Sequence, residues 1–276
     1  MNEQTIFITG ATDGIGKLVA KDLAMQKNKP VVLIHGRDRV KLDKVIDEIK
    51  SETGNQRVEG YVADLSSLAE VRKLAGEIMA AHGRIDILIN NAGAGFAAPR
   101  YGKDGSETRF TVNYLAPFLL TSLLLPVIKK AAPSRIVNVS SAGQSPIHFD
   151  DIMLGEKFDS VAAYTQSKLA LVMFTVDLAE QLKNDNVTVN ALHPGTYLDT
   201  NMVREAGIRP QGTAQSGADA IVHLATSPSL RNTTGGYFNV TQEARALSQA
   251  YDDNARKRLR EITVKLTGLS RITESI

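Results

Sequence analysis

Along this chain, short β-branched and apolar runs alternate with longer segments whose apolar positions recur every three or four residues. "TIFIT" from Thr5, "PVVLIH" from Pro30, "RVEGYVA" from Arg57, "IDILIN" from Ile85, "RIVNVS" from Arg135, "VTVNAL" from Val187 and "GYFNV" from Gly236 read as strands. Several show no alternation and are apolar throughout, the pattern of strands covered on both faces. Between them, helix patterns begin near Ile15 and span about 39–52, 66–82, 107–130, 161–183 and 217–226. In "DRVKLDKVIDEIK", Val40, Leu42, Val45, Ile46 and Ile49 mark out one helix face. Strand–helix alternation with short connections predicts an α/β fold, a parallel sheet with helices on both faces. No repeat, low-complexity tract or linker interrupts it, so residues 1–276 read as a single domain. The least regular segments, 144–160 and 196–216, follow strands. They should emerge at the carboxyl edge of the sheet, where such folds bind ligands.

Composition narrows the classes without choosing one. The 276 residues are 43% hydrophobic and 22% charged, ordinary for a globular protein. The 32 basic and 30 acidic residues give a net charge of +2, which offers no general attraction to nucleic acid or to an anionic membrane. The basic, amphipathic "NARKRLREITVKL" therefore reads as a solvated helix face. There is no cysteine, which removes disulfides, thiolate metal sites and cysteine nucleophiles. His35, His82, His148 and His193 lack metal-ligand spacing, so no metal is expected. The opening "MNEQTIFITG" has neither the basic lead nor the apolar core of a secretory signal. The run 115–128, "LAPFLLTSLLLPVI", is shorter than the ~20 residues of a membrane span and contains Pro117 and Pro126. It reads as a buried helix, with no membrane span and a cytoplasmic location expected.

The first strand leads into "TGATDGIGK", where Gly10, Gly14 and Gly16 precede a helix. Glycines there allow a tight turn and close backbone approach, and the helix N-terminus offers free N–H groups to a pyrophosphate. Thr12, Asp13 and Ile15 belong to the same cradle, and an inward-pointing Asp13 would set negative charge beside phosphates. The second strand ends in "IHGRD". An NAD site usually has a carboxylate there for the ribose hydroxyls. Arg37, a permanently charged fork, suits a 2′-phosphate instead, so NADP(H) is read over NAD(H). Asp38 reads as the N-cap of the next helix. Further along, "VADLSS" offers Asp64 and Leu65 near an adenine, with a helix cap as the alternative use of Asp64, which Ser66 could serve in its place. "INNAGAG" offers Asn90, Asn91, Ala92 and Gly93 for packing against the adenosine half, the alternative being an ordinary turn.

"TGATDGIG", "NNAG", "VNVSS", "YTQSK" and "HPG" together resemble the short-chain dehydrogenase/reductase superfamily in order and approximate spacing, over most of the chain. The wording "TGATDGIGK", "HGRD", "GEKFDSVAAYTQSKLALVMFT" and "HPGTYLDT" is most similar to the retinol-dehydrogenase-like group. So is the long spacer from Ser141 to Tyr164. The group's N-terminal membrane anchor is not seen in the sequence, and the absence of cysteine sets it apart from the related protochlorophyllide reductases. The resemblance implies a Rossmann-type, doubly wound and mainly seven-stranded parallel sheet, and nicotinamide-dependent redox chemistry. It gives Tyr164 and Lys168 the tyrosine and lysine roles, Ser141 the substrate-oxygen role, and Asn113 the task of holding a water beside Lys168. Ser140 is expected to be structural. A tyrosine of pKa about 10 is poorly poised at neutral pH. Lys168 and an oxidised nicotinamide are expected to lower that value, so that Tyr164 can exchange a proton with the substrate oxygen. Lys168 should also hold the nicotinamide ribose.

In "HPGTYLDT", His193, Pro194 and Gly195 read as a loop closing over the nicotinamide, with Thr200 as a cofactor hydrogen-bond partner. Gln144, Ile147 and His148 after the serine, and Tyr197 and Met202 in the later loop, suggest a mainly apolar substrate pocket. The expected activity is hydride transfer between NADP(H) and the carbonyl or alcohol of an apolar small molecule. A catalytically silent NADP(H)-binding regulator or scaffold of the same fold is the alternative. An epimerase or dehydratase would call for a longer chain with a separate substrate domain. The helix beginning at Tyr164 is apolar on more than one side, which leaves room for packing against a second copy in a homodimer.

Overall fold

The computed structural model describes residues 4–156 and 158–269. The first three residues of the opening "MNEQTIFITG", and the two ends of the 1–276 span, lie outside the described residues. Strands β1 (Thr5–Ile8), β2 (Val31–Gly36), β3 (Val58–Val62), β4 (Ile87–Asn90), β5 (Ser134–Val139), β6 (Val187–His193), β7 (Tyr237–Asn239) and β8 (Gln242–Ala244) form one sheet in the order 3-2-1-4-5-6-7-8. All neighbours are parallel except β7 and β8, which pair antiparallel as Tyr237↔Ala244 and Asn239↔Gln242. The seven expected strands are present and an eighth is added. "QEA" is too short and too polar to show as a strand, and it exists only because β7 offers it an edge.

Neighbouring residues along each inner strand serve opposite faces. Ile6 and Ile8 join Val32, Ile34, Ile87 and Ile89 in a core beneath α1 (Gly14–Ala24), α2 (Arg39–Thr53) and α8 (Ala214–Thr226). Phe7 joins Leu33, Leu88 and Ile136 in a larger core on the other face. That core lies beneath α3 (Leu68–Ala81), α5 (Ala116–Lys130), α6 (Ser160–Gln181) and α9 (Asp253–Thr267). This two-sided burial is why the strands carry no alternation. The expected helix 107–130 is broken. Glu107 caps a single turn, α4 (Thr108–Phe110), by accepting from the Phe110 N–H, and a π-helical turn (Thr111–Leu115) follows before α5. The segment Thr108–Lys130 is long and apolar enough by composition to cross a membrane, but 72% of its most apolar window is buried inside the protein.

The outer side of α6 is covered within the same chain. The 3-10 turn Ser248–Tyr251 and α9 pack on it. Tyr114 and Thr263 share a 2.7 Å hydroxyl bond, Arg260 meets Asp177 at 2.6 Å, and Arg256 meets Glu180 at 2.9 Å. Part of the second apolar side of α6 is therefore covered by α9. The short helix α7 (Asn201–Glu205) lies in the loop after β6.

Candidate active site

The order of the sheet reverses between β1 and β4, so the loops leaving these two strands diverge and open a crevice. The glycine turn lies there and is built tightly. Gly10 has φ +65°, and a Cβ on it would lie 2.7 Å from Ala92 Cα. A Cβ on Gly16 would lie 2.2 Å from the Gly10 carbonyl oxygen. Asn91 donates to the carbonyls of Thr9 (2.9 Å) and Gly10 (3.0 Å), and the Thr9 hydroxyl accepts from the N–H groups of Asn91 and Ala92. Asn91 and Ala92 thus brace the turn from β4. Thr12 packs against Gly36, and Ile15 reaches α8 beside Gly217. Asp13 does not face the crevice as a free charge. It caps α1 through the Gly14 N–H at 2.7 Å and accepts from the Asn201 amide.

His35 is a further lock that the sequence did not mark. Its Nδ1 accepts from the Gly10 N–H at 3.1 Å, so its proton sits on Nε2 and is donated to the Ala63 carbonyl at 2.9 Å. Burial depresses its pKa to about 4, and the imidazole is neutral. Beyond it, Arg37 is exposed and forms no ion pair or hydrogen bond among the described residues. Asp38 caps α2 through the Lys41 N–H, as expected. Asp64 accepts from the Ser66 N–H at 2.9 Å. Burial opposes its charge, but the Ser66 bonds and the nearby Lys103 and Arg37 hold it below the usual carboxylate range. The cap of α3 is Ser67, not Ser66, and its side chain makes no cap bond; the Leu68 N–H goes instead to Asp104. Leu65 is buried in the larger core. Asn90 also turns inward, donating to Thr121 and Asn138 rather than facing the adenosine half.

The proposed catalytic residues meet at the same edge. Lys168 is 4% exposed, with its Nζ donating to the Val139 carbonyl at 3.0 Å and lying 5.6 Å from the Tyr164 ring centroid. Tyr164 bonds to Ser141. The Ser141 hydroxyl accepts from the Gly143 N–H at 3.0 Å, and its carbonyl accepts from the Tyr237 hydroxyl at 2.9 Å. Ser140 donates to the Lys168 carbonyl, the structural role expected. Asn113 sits in the π-helical turn. Its Oδ1 accepts from the Ala94 N–H at 2.7 Å, and its amide donates to the Ala94 carbonyl and to the Ser167 hydroxyl at 2.9 Å. A Cβ on Gly93 would lie 3.3 Å from Asn113 Oδ1, 3.5 Å from Met202 Cε and 3.7 Å from Lys168 Nζ, so β4, the π turn, α6 and α7 converge on one point.

Enclosure governs the electrostatics of this pair. Burial is the largest influence on both partners. It raises the Tyr164 phenol above its ordinary value, only partly opposed by Ser141, and brings Lys168 down to about 8. Enclosure favours the neutral form of each. Lys168 by itself does not make the tyrosine acidic.

The later loop closes over this point. Gly195 has φ +140° and packs on Leu198 behind the buried Pro194, while His193 bonds the Thr196 hydroxyl at 3.1 Å. Thr200 stands 3.4 Å from the position of a Cβ on Gly14. Met202 and Tyr197 reach the site; Met202 lies against Gly93 and Gly95, and Tyr197 lies close enough to Tyr164 to act on it. Two other expected pocket residues have partners of their own. Gln144 is spent on the Ser141 carbonyl and the Leu247 N–H, and His148 is exposed with its N–H on Gln166. Phe96, which the pattern did not single out, meets the Tyr164 ring edge-on at 4.7 Å. Its only sequence signal is being the one aromatic in "AGAGFAAPR". A cavity of about 420 Å³ also opens at the opposite edge of the sheet, lined by Asp86, Arg135 and Arg231 among others, but no catalytic residue lines it. No cluster able to hold a metal occurs among the described residues.

The crevice suits a dinucleotide. It pairs a helix N-terminus after a glycine turn with an unpaired arginine at the end of β2 and a buried lysine at the far end. The family model for short chain dehydrogenase matches residues 4–210. Retinol dehydrogenase 13 of Mus musculus is 37% identical over 97% of this chain and 84% of its own. An uncharacterised protein from Mycobacterium Paratuberculosis superimposes with a TM-score of 0.78 at 28% identity, over 96% of this chain and 93% of its own. A protein from Escherichia coli CFT073, described as a short chain dehydrogenase and complexed with NADPH, gives a TM-score of 0.70 at 28% identity, over 87% and 97%.

Proposed function

Since the chain belongs to the short-chain dehydrogenase family, within its retinol-dehydrogenase-like part, we propose that it is an NADPH-dependent oxidoreductase acting on a carbonyl or alcohol of an apolar small molecule. The observation that carries this reading is the convergence of Ser141, Tyr164 and Lys168 at the crevice whose far end holds the glycine turn. A nicotinamide dinucleotide bound there supplies or accepts the hydride.

The side chains do the rest. Ser141 and Tyr164 hold the substrate oxygen between two hydroxyls, which places stabilising donors where negative charge develops. Tyr164 gives its proton to that oxygen in reduction and takes one back in oxidation. Burial favours the protonated form of the Tyr164 phenol. Lys168, poised near 8, is the next proton holder along α6 and reaches toward the cofactor ribose. Asn113 braces the β4 end against α6, its amide being committed to Ala94 and Ser167. NADP(H) is favoured because Arg37, at the end of β2, is unpaired among the described residues, while Asp38, next in the chain, is committed to the α2 cap. The NADPH complex of the similar Escherichia coli protein points the same way. Phe96, Met202 and Tyr197 support an apolar substrate, as does the likeness to a dehydrogenase named for retinol.

The test is NADPH oxidation with a panel of apolar aldehydes and ketones. Tyr164→Phe should lower kcat about 10²-fold or more, the usual contribution of a positioned general acid. Equal rates in the two proteins would remove Tyr164 from the chemistry. Absence of turnover in the unaltered protein would favour a silent NADP(H)-binding role.

A further inference from the structure

Next to the site lies a buried ion pair that the chemistry above does not use. Glu107 and Arg109 meet at 2.9 Å with both side chains 2% exposed. Such a pair fixes geometry more than it adds stability, because removing both charges from water offsets most of their attraction. What Arg109 holds is the loop after β4. Its guanidinium donates to the carbonyls of Phe96 (2.7 Å), Ala98 and Pro99. The Glu107 carboxylate takes the Phe110 N–H, and its carbonyl takes the Thr111 hydroxyl at 2.8 Å, which fastens the same unit to the π-helical turn of Asn113.

The unit also reaches the other wall of the cleft. Two guanidinium groups lie over the Phe158 ring, Arg100 at 4.6 Å and Arg109 at 5.5 Å. Arg100 donates to the Gly155 carbonyl at 2.6 Å. Asp159, next in the chain, caps α6 through the Ala162 N–H. The loop after β4 and the long spacer before Tyr164 are thereby latched together over the start of α6. The consequence at the site is the edge-on contact of Phe96 with Tyr164.

We propose that Phe96, held by Arg109, is a positioning residue for Tyr164 and the aromatic wall against which the apolar part of the substrate rests. The inference rests on the oxidoreductase reading of the site. Three backbone carbonyls on one buried guanidinium leave the loop little freedom, so the ring is presented rather than merely present. The phenol is otherwise faced by Ser141 after β5, Lys168 one turn along α6, Tyr197 of the loop after β6, and Tyr237 of β7. Among the described residues Phe96 is the aromatic ring packed on that of Tyr164.

The experiment compares Phe96→Ala, Phe96→Tyr and Arg109→Lys with the unaltered protein. Steady-state kinetics are measured with NADPH and an apolar ketone. The Tyr164 phenol is titrated by tyrosinate absorbance, each protein being referenced to its own Tyr164→Phe version, a readout that needs no turnover. Phe96→Ala should lower kcat about tenfold through misorientation of the acid, with the KM for NADPH unchanged. It should also let the phenol titrate at lower pH as water reaches it. Phe96→Tyr, which keeps the ring, should restore most of kcat. Arg109→Lys, which keeps the charge but not the three-carbonyl grip, should move both readouts in the direction of Phe96→Ala. A Phe96→Ala protein with the original kcat, ketone KM and phenol titration would overturn the proposal. If no carbonyl is turned over by the unaltered protein, the oxidoreductase reading fails, and the titration alone still decides whether Phe96 governs the surroundings of Tyr164.

Discussion

His35 shows how much a single side chain can fix. It ties the Gly10 N–H to the Ala63 carbonyl, joining the ends of β1, β2 and β3 through one neutral imidazole. Its folded pKa, about 4, lies below the ordinary 6.5, so between these values the unfolded chain binds a proton that the folded chain refuses. Stability from this group is therefore complete above pH 6.5 and is lost as pH falls toward 4, a change of about 3 kcal/mol at most. His35→Gln should flatten that part of the stability profile, read from urea unfolding midpoints across the range. Parallel profiles would mean that His35 is not the group responsible. The sequence placed His35 beside the cofactor site but gave no sign of this role, since a histidine in a strand carries no label for its partners. Tyr164 and Lys168 were visible as a pair one turn apart, yet the direction in which burial moves each pKa depends on enclosure by residues far away in the chain.

Among the elements, α9 does what its own pattern barely suggests. Read alone it is a basic amphipathic helix, and its exposed face fits that reading. Its other face closes over α6: Leu259 is 2% exposed, Thr263 meets the Tyr114 hydroxyl, and Arg260 meets Asp177. Asp177 is the more enclosed partner, with burial raising its carboxyl above the usual range against the pull of Arg260. Arg260→Ala leaves that carboxylate without its cation and should cost about 2 kcal/mol, less than a fully buried pair because Arg260 is part-exposed. Adding Asp177→Asn should return part of the loss in a denaturant titration; strict additivity of the two changes would show that the pair is not coupled. The π-helical turn is the other element that the pattern concealed. The 107–130 stretch is apolar enough to pass for one helix, and nothing local in it marks the π turn in which Asn113 bonds to Ala94 and, across to α6, to Ser167.

At the scale of the whole molecule, the crevice runs from Arg37 at the end of β2, past the glycine turn after β1, to Lys168 behind β5. A ligand spanning it binds the folded chain alone and raises its melting temperature by mass action. NADPH should protect more than NADH at equal concentration. Arg37→Ala should weaken NADPH about tenfold to a hundredfold and leave NADH nearly unchanged, the worth of a charge-assisted contact to a phosphate. An unchanged ratio of the two melting shifts would refute the 2′-phosphate role. The sequence by itself determined the strand–helix alternation, the two-faced burial of the inner strands, the glycine turn, the Asp38 cap and the family, because each is written in local spacing or local backbone need. Only the tertiary structure decided β8, the covering of α6 by α9, the π turn, the inward turn of Asn90, the bonding of Gln144 to the Ser141 carbonyl and the arrival of Phe96. Each of these depends on partners distant in the chain, and no local pattern states which distant backbone or ring a side chain will meet once the chain has closed on itself.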